Sequence, residues 1–416
     1  MTHSEGTSRR RRTLAAAGIA LLASACGGDA PTVRSPPETP ASNRPITPLS
    51  LDCVAAHSSC ATLVPVGDAA YVLPNGGLAN ARGFADPSLR RDPATGTLWM
   101  AYSWPAMSFQ SSTQAAVTVN NHLARSVDGG ATWLFVRELW TSTSASGPDG
   151  TPGYMNQEAV SLAPRVTATG TVWYSARLQY FTTPADGPDA STFVIRVASA
   201  SSPELLAGAA DVALGGASSA AGWGADVDLS IHSPDLAQCV FNDPGLLARG
   251  DTLYLAIECQ VFEPSGERPE KEFVAVFSTL PSGVPRTWSW RYLGKLARAG
   301  EAAELGGQSL LQTDLAVAQD GTLLAIMSPS APGAPLAQHF GCRVVEVTSL
   351  AEPRLARDNT GRLRVRASVT MSDVAATGGP GSCGYDPASA TGIVIARRVL
   401  GAGQLVSSLQ VTGLRP

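Results

Sequence analysis

Short apolar runs, punctuated by Gly and Asp turns, recur along most of this chain. Asp86-Pro87-Ser88-Leu89 is followed by Thr95-Gly96-Thr97-Leu98-Trp99-Met100-Ala101-Tyr102, and Ala163-Pro164-Arg165-Val166 by Thr169-Gly170-Thr171-Val172-Trp173-Tyr174. Asp243-Pro244-Gly245-Leu246 precedes Gly250-Asp251-Thr252-Leu253-Tyr254-Leu255, and Asp314-Leu315-Ala316-Val317 precedes Asp320-Gly321-Thr322-Leu323-Leu324. Each unit is a short strand, a Gly turn and a second apolar strand. Asp386-Pro387 marks a degenerate fifth copy. Starts at 86, 163, 243, 314 and 386 give a period of ~70–80 residues, with room for two further strands. In the first unit these are 116–125 and 134–140; Phe193–Val197 and Phe273–Phe277 fill the third-strand slot in the next two, and Trp288–Leu293 a fourth. Four strands per repeat is the blade of a propeller. The expected fold class is therefore all-β, a β-propeller of four-stranded blades, five of them, with six as the alternative. The strands 392–399 and 404–412 fit the outer half of a last blade, and 62–73 is placed to close the ring and hide its sheet edges.

The two outer strands of the first unit are joined by Ser126-Val127-Asp128-Gly129-Gly130-Ala131-Thr132-Trp133. Asp-Gly tolerates the positive φ of a tight turn, and the Asp128 carboxylate can accept N–H groups from the turn itself. Trp133 supplies an apolar lid. The pattern Ser126, Asp128, Gly130, Thr132, Trp133 resembles the Asp-box (BNR repeat) of the sialidase-like β-propellers. That resemblance implies a blade-stabilising turn on the outer edge, away from any chemistry.

Four arginines at 9–12 precede an apolar run from Leu14 to Ala25 and then Cys26. This is the order of a signal peptide, and the run is far short of the ~20 residues a spanning helix needs. Leu22-Ala23-Ser24-Ala25-Cys26 resembles the lipobox of bacterial lipoproteins, which implies lipidation of Cys26 and a membrane anchor; an ordinary secretory signal is the plainer reading. Residues 1–25 are thus expected to be the signal, 26–50 a Pro/Ser/Thr-rich tether too polar to order itself, and 51–416 the propeller. The chain is expected to be exported, anchored to the envelope or secreted, and monomeric.

A net charge of −4 with two lysines, Lys271 and Lys295, excludes a nucleic-acid surface. Of the seven cysteines, six remain after Cys26, an even number that predicts three disulfides in an exported chain. Proximity favours Cys53–Cys60, Cys239–Cys259 and Cys342–Cys383. No Cys-x-x-Cys pair occurs, His57 is too little to rescue a zinc site, and the other histidines are scattered, so no metal centre and no cofactor is expected. A structural calcium ion held by channel carboxylates is the one exception left open.

In a propeller the first strand of each blade lines a central channel, so the repeated Asp positions converge. Asp86, Glu158 and Asp243 are the candidate catalytic carboxylates, because glycosidic cleavage uses one acid and one base or nucleophile, and crowding separates their pKa values. Repeated Asp can equally cap the inner strands through backbone N–H groups. Arg82, Arg165, Asp314, Trp104 and Tyr385 are candidate substrate-binding residues, the arginines as carboxylate grips and the aromatics as sugar platforms. The sialidase resemblance would place an Arg of its Arg-Ile-Pro motif where Ala85 stands. Ala85-Asp86-Pro87 resembles the first-blade motif of five-bladed furanosidase-type glycosidases, which implies Asp86 as general base; the second-blade Asp of that family falls on Ala163. Two functions follow: a glycoside hydrolase, or a non-catalytic propeller that binds glycans or a protein partner at the cell surface.

Overall fold

The computed structural model describes residues 45–416 except 55–59, 112–113, 186, 333–337, 373–378 and 402–403. The expected signal, most of the tether, Cys26 and His57 lie outside the described residues. The architecture is an all-β propeller. Among the described residues the strands pair into five sheets. The first runs Ala85–Arg91, Leu98–Phe109, Ala115–Ser126 and Leu134–Trp140 in chain order. The second, third, fourth and fifth are built outward from Pro152–Thr167, Cys239–Arg249, Ser309–Val317 and Pro380–Gly384. These five inner strands form a closed ring, each packing on the next and the last on the first.

One apolar cluster fills each gap between successive sheets. Trp99 and Trp173 meet edge to face at 6.4 Å between the first and second, as their place in second strands predicts. Phe241, Phe277 and Trp288 lie between the second and third, and Ala256, Val276 and Met327 between the third and fourth. Ile326, Val344 and Ile395 follow, and Leu89, Met100 and Val394 return to the first sheet. Period-2 alternation makes this work, because the second strands are buried on both faces along most of their length.

Early strands complete late sheets. Leu49–Asp52 adds in parallel to Val365–Thr370 of the fourth sheet. Ala61–Leu63 and Ala81–Gly83 both pair with Gln404–Val411, the outer strand of the fifth. Most of the 62–73 segment is irregular, touching the first sheet through a Val66–Leu134 bridge. The three disulfides are Cys53–Cys60, Cys239–Cys259 and Cys342–Cys383, the pairs that proximity favoured. The last ties the fourth sheet to the inner strand of the fifth.

The 126–133 turn is wired through its own side chains. Ser126 donates from Oγ to Asp128 Oδ1 at 2.7 Å and accepts from the Gly130 N–H at 2.8 Å, and the Thr132 N–H donates to Asp128 Oδ1 at 2.9 Å. These bonds, Thr132 first, hold the Asp128 carboxyl below its ordinary range. Trp133 is buried in the core between the fifth and first sheets.

The Ser-, Gly- and Pro-rich stretch 141–157 and the Ala- and Gly-rich stretch 200–225 read as long loops, and both hold strands. Thr143–Ser146 and Pro152–Thr167 are strands, and Asp211–Gly215 adds a strand to the second sheet. Their Ser, Gly and Ala content hid a sheet whose stability comes from pairing with Gly170–Thr183 and Gly187–Ala200.

Candidate active site

Each inner strand breaks its ladder once. The register shifts fall at Ala85/Ser88, at Ala176/Leu178 opposite the second inner strand, and at Asn242/Pro244, Leu311/Asp314 and Gly381/Cys383. At each break one non-glycine residue takes a positive φ: Asp86 (48°), Ala159 (47°), Asp243 (41°), Gln312 (54°) and Ser382 (48°). A left-handed residue costs about 1–3 kcal/mol and persists only where its surroundings fix it. A β-bulge re-aims a side chain, and here the five bulged residues line one central cavity. The repeat is therefore in register at 86, 159, 243, 312 and 382, not at 86, 163, 243, 314 and 386. The Asp-based alignment slipped because the left-handed position carries Ala, Gln or Ser in three copies.

Two residues beyond each bulge, the strands crowd the axis. A Cβ on Gly245 would stand 2.2 Å from the Thr313 carbonyl oxygen, and one on Gly384 2.4 Å from that of Pro87. The remaining copies place Ser88, Ser161 and Asp314 there. Asp314 Oδ1 accepts from Arg90 Nη2 at 2.6 Å and from Ser161 Oγ at 2.9 Å, and Ser88 Oγ reaches Oδ2 at 3.3 Å. Arg90 also donates to the Leu246 and Leu315 carbonyls, at 3.1 and 2.7 Å. A paired charge thus plugs the floor of the cavity.

Above this floor the cavity is acidic. Asp86 Oδ1 accepts from Gln312 Nε2 at 2.7 Å, and the Asp86 N–H donates to Ser382 Oγ at 3.2 Å. Poor solvation raises Glu158 to about 7, with the charge of Asp86 adding to it; hydrogen bonding to Tyr180 and the charge of Arg398 oppose the rise. Glu158 is partly open to solvent, but protein encloses it, so water reaches it without solvating it well. Burial also lifts Asp243 well above the carboxylate range, followed by the charges of Asp86 and Glu158. Arg398 donates to His339 Nε2 at 2.7 Å, and burial with that neighbouring cation keeps the imidazole neutral to well below its ordinary value. Among the described residues no group of three or more His, Cys, Asp or Glu side chains is arranged to hold a metal ion.

No protein-family model and no curated protein matches this chain. Among solved structures it is similar to an α-L-arabinofuranosidase of Podospora anserina in complex with cellotriose, at 12% identity and a TM-score of 0.43 over 89% of this chain and 97% of that one. It is also similar to a sialidase of Trypanosoma rangeli in complex with sialic acid, at 11% identity and 0.41 over 88% and 60%. A xylan β-1,4-xylosidase of Bacillus halodurans matches at 13% identity and 0.37 over 70% and 46%, so the chain spans about half the length of that enzyme.

The three candidate carboxylates Asp86, Glu158 and Asp243 come from three different sheets to one place. Asp314 lines the same cavity but is spent on Arg90. The other candidate binding residues sit elsewhere. Arg82 lies on an outer strand of the fifth sheet and donates to the Ala79 carbonyl. Arg165 is seven residues along the inner strand from Glu158, roughly 23 Å in extended chain, and bonds Asp251 O at 3.2 Å. Trp104 stacks on His122 at 4.8 Å and donates to Ala69 O at 3.0 Å. Tyr385 is buried in the core between the fourth and fifth sheets, with its hydroxyl on the Pro416 carbonyl at 3.2 Å. Asp386 caps the Arg91 N–H at 2.8 Å, at the far end of the first inner strand. Reading by residue type missed Arg90, Tyr180, Gln312 and Arg398. Gln312 alone carried a signal, its place in the repeat once the bulge sets the register.

Proposed function

We propose that this chain is a carbohydrate-active propeller that hydrolyses a glycosidic bond at its central cavity. The observation that carries this reading is the meeting of Asp86, Glu158 and Asp243, with two of the three driven to hold their protons. Asp243, whose carboxyl is raised furthest by burial and like charge, is the proton donor to the leaving oxygen. Asp86, oriented by Gln312, takes the opposite role of base or nucleophile. Glu158, hydrogen-bonded to Tyr180 and balanced by Arg398, sets the charge between them.

A second reading, a glycan- or protein-binding propeller without turnover, is favoured by one feature. The free space inside the cavity, about 30 Å³, holds a water or two and falls far below the ~300–1,000 Å³ of ligand pockets.

Each of the five sheets is taken here as one blade, with the 126–133 turn as an Asp-box on the outer edge of the first. Three disulfides support an exported chain, for which Cys26 would supply a lipid anchor.

The test is sugar release from arabinosides, xylosides, sialosides and polysaccharides. Release of a sugar that Asp86→Asn abolishes, at unchanged melting temperature, is the expected result. Release that survives Asp86→Asn sinks the assignment, and no release combined with retention on a glycan array selects the second reading.

A further inference from the structure

The gap between the first and second sheets holds a buried polar layer that the hydrolytic reading leaves unused. Ser103 Oγ accepts from the Ala159 N–H at 3.0 Å, which ties the two sheets together at the height of the bulge. Asn121 lies opposite Ser103 in the next strand and opposite Trp140 on its other side, so it shares their face, toward the second sheet. On the second sheet Arg177 falls between Ala176, opposite Ser161, and Leu178, opposite Glu158. Strand alternation sets Trp173, Ser175 and Arg177 on one face. That face looks back at the first sheet, where Trp173 meets Trp99 and the Arg177 guanidinium lies over the Trp140 ring at 4.1 Å. Asn121 and Arg177 therefore flank one contact from opposite sides of the gap.

Their hydrogen bonds do not close. Asn121 is 0% exposed, and neither atom of its amide has a hydrogen-bond partner. Arg177, 4% exposed, donates from Nε to Gln157 Oε1 at 2.8 Å and from Nη2 to Asp211 Oδ2 at 2.7 Å, but its Nη1 is without a partner. Ser175 Oγ, two residues away on the same strand face, is buried and unpartnered too. Nor do the charges close. Asp211 gives its other oxygen to Arg196 at 3.1 Å, so one carboxylate serves two guanidinium groups. Burial, more than the charge of Asp211 offsets, draws Arg177 down to about 10, and Arg196 adds to the fall. Buried donors without partners and a buried cation short of counter-charge are both costly. A water would satisfy the donors and leave the charge; an anion answers both.

We propose that Arg177 Nη1 and the Asn121 amide hold a small monovalent anion of the halide class, chloride in ordinary solution, between the first and second sheets. The amide turns its Nδ2 to the ion, since no other bond fixes its orientation. The layer then balances, two guanidinium groups against Asp211 and the ion. Enclosure selects for size, because Asn121, Ser175 and Arg177 are sealed between packed strands, which favours a single atom over a sulfate or phosphate. The ion fastens Arg177 and, through it, Gln157, the neighbour of Glu158 on the second inner strand. Its role is a structural tie between two sheets.

Crystals of the full chain with bromide in place of chloride give the direct test, through anomalous scattering at the bromine edge. A peak between Arg177 Nη1 and the Asn121 amide is expected; an ordered water there with no bromide peak overturns the proposal. The second arm is the thermal midpoint in chloride against gluconate at equal ionic strength. Saturating chloride should raise it by roughly 2–5 °C. Bromide at the site without such a rise is an adventitious ion only, and also overturns the proposal. Arg177→Met would remove the Asp211 and Gln157 bonds as well, so the informative variant is Asn121→Asp, which supplies a fixed anion in place of the mobile one. Its midpoint without chloride should equal or exceed that of the wild type, and chloride should no longer raise it. A lower midpoint in Asn121→Asp, or one that still follows chloride, overturns the assignment. Sugar release enters none of these readouts, so the outcome is independent of the hydrolytic reading.

Discussion

Asp314 and Asp243 line the same cavity from neighbouring sheets, and they live in opposite electrostatic worlds. Asp314 has a guanidinium at 2.6 Å and two serine hydroxyls, and its charge is spent. Among the described residues no cation bridges Asp243, whose strongest neighbours are other acids. The same contrast recurs further out. Glu346, 1% exposed, is clasped by Arg364 at 2.6 Å and Arg366 at 2.7 Å, whereas Glu258, equally buried, has no hydrogen bond at all. A buried acid with its cation is part of the scaffold. A buried acid among acids is stored chemistry, because its proton is the only counter-charge it has.

The comparison breaks most sharply at Arg90. Arg90→Met leaves Asp314 charged and unpaired at the axis, and should cost about 3–5 kcal/mol in urea unfolding. A near-neutral result would show that the floor is not held by this pair. Asp86→Asn is the complementary change, expected to lower kcat/KM by at least ~10²-fold with little change in unfolding midpoint.

The next effect is a pH dependence of stability. Glu158 and Glu272, raised from 4.5 to about 7 and about 8, bind more protons folded than unfolded between their ordinary value and those limits. Stability must then fall as pH rises through that window, the reverse of a salt-bridged carboxylate. Discounting for partial solvent access, about 1–3 kcal/mol should be lost between pH 5 and pH 8. A flat or rising profile would remove the acid-on-acid description. The smallest effect is expected at Asp128→Ala, a slight drop in thermal midpoint with the central cavity untouched. Altered sugar release in that variant would contradict its outer position.

Much of this was legible because it is local. The Ser126–Trp133 turn closes its bonds within four residues, and the Cys53–Cys60 and Cys239–Cys259 pairs span short separations. Asp86 and Asp243 followed from the repeat and Glu158 from its place just before the second unit, and the structure brings the three together. Trp104 and Tyr385 were misread as open platforms because their partners, His122, Ala69 and Pro416, come from other segments.

By itself the sequence determined the strand repeat, the turn chemistry, the cysteine pairs and the list of acids. Each rests on neighbours along the chain, through alternation, φ preference or loop closure. Tertiary structure alone decided what each acid is for. Asp86 meets Gln312 across 226 residues, and Asp314 meets Arg90 across 224. Nothing near Asp314 or Asp243 in the chain tells one from the other. The difference arises when ring closure puts a guanidinium beside one and carboxyls beside the other, and removes the water that would have screened both.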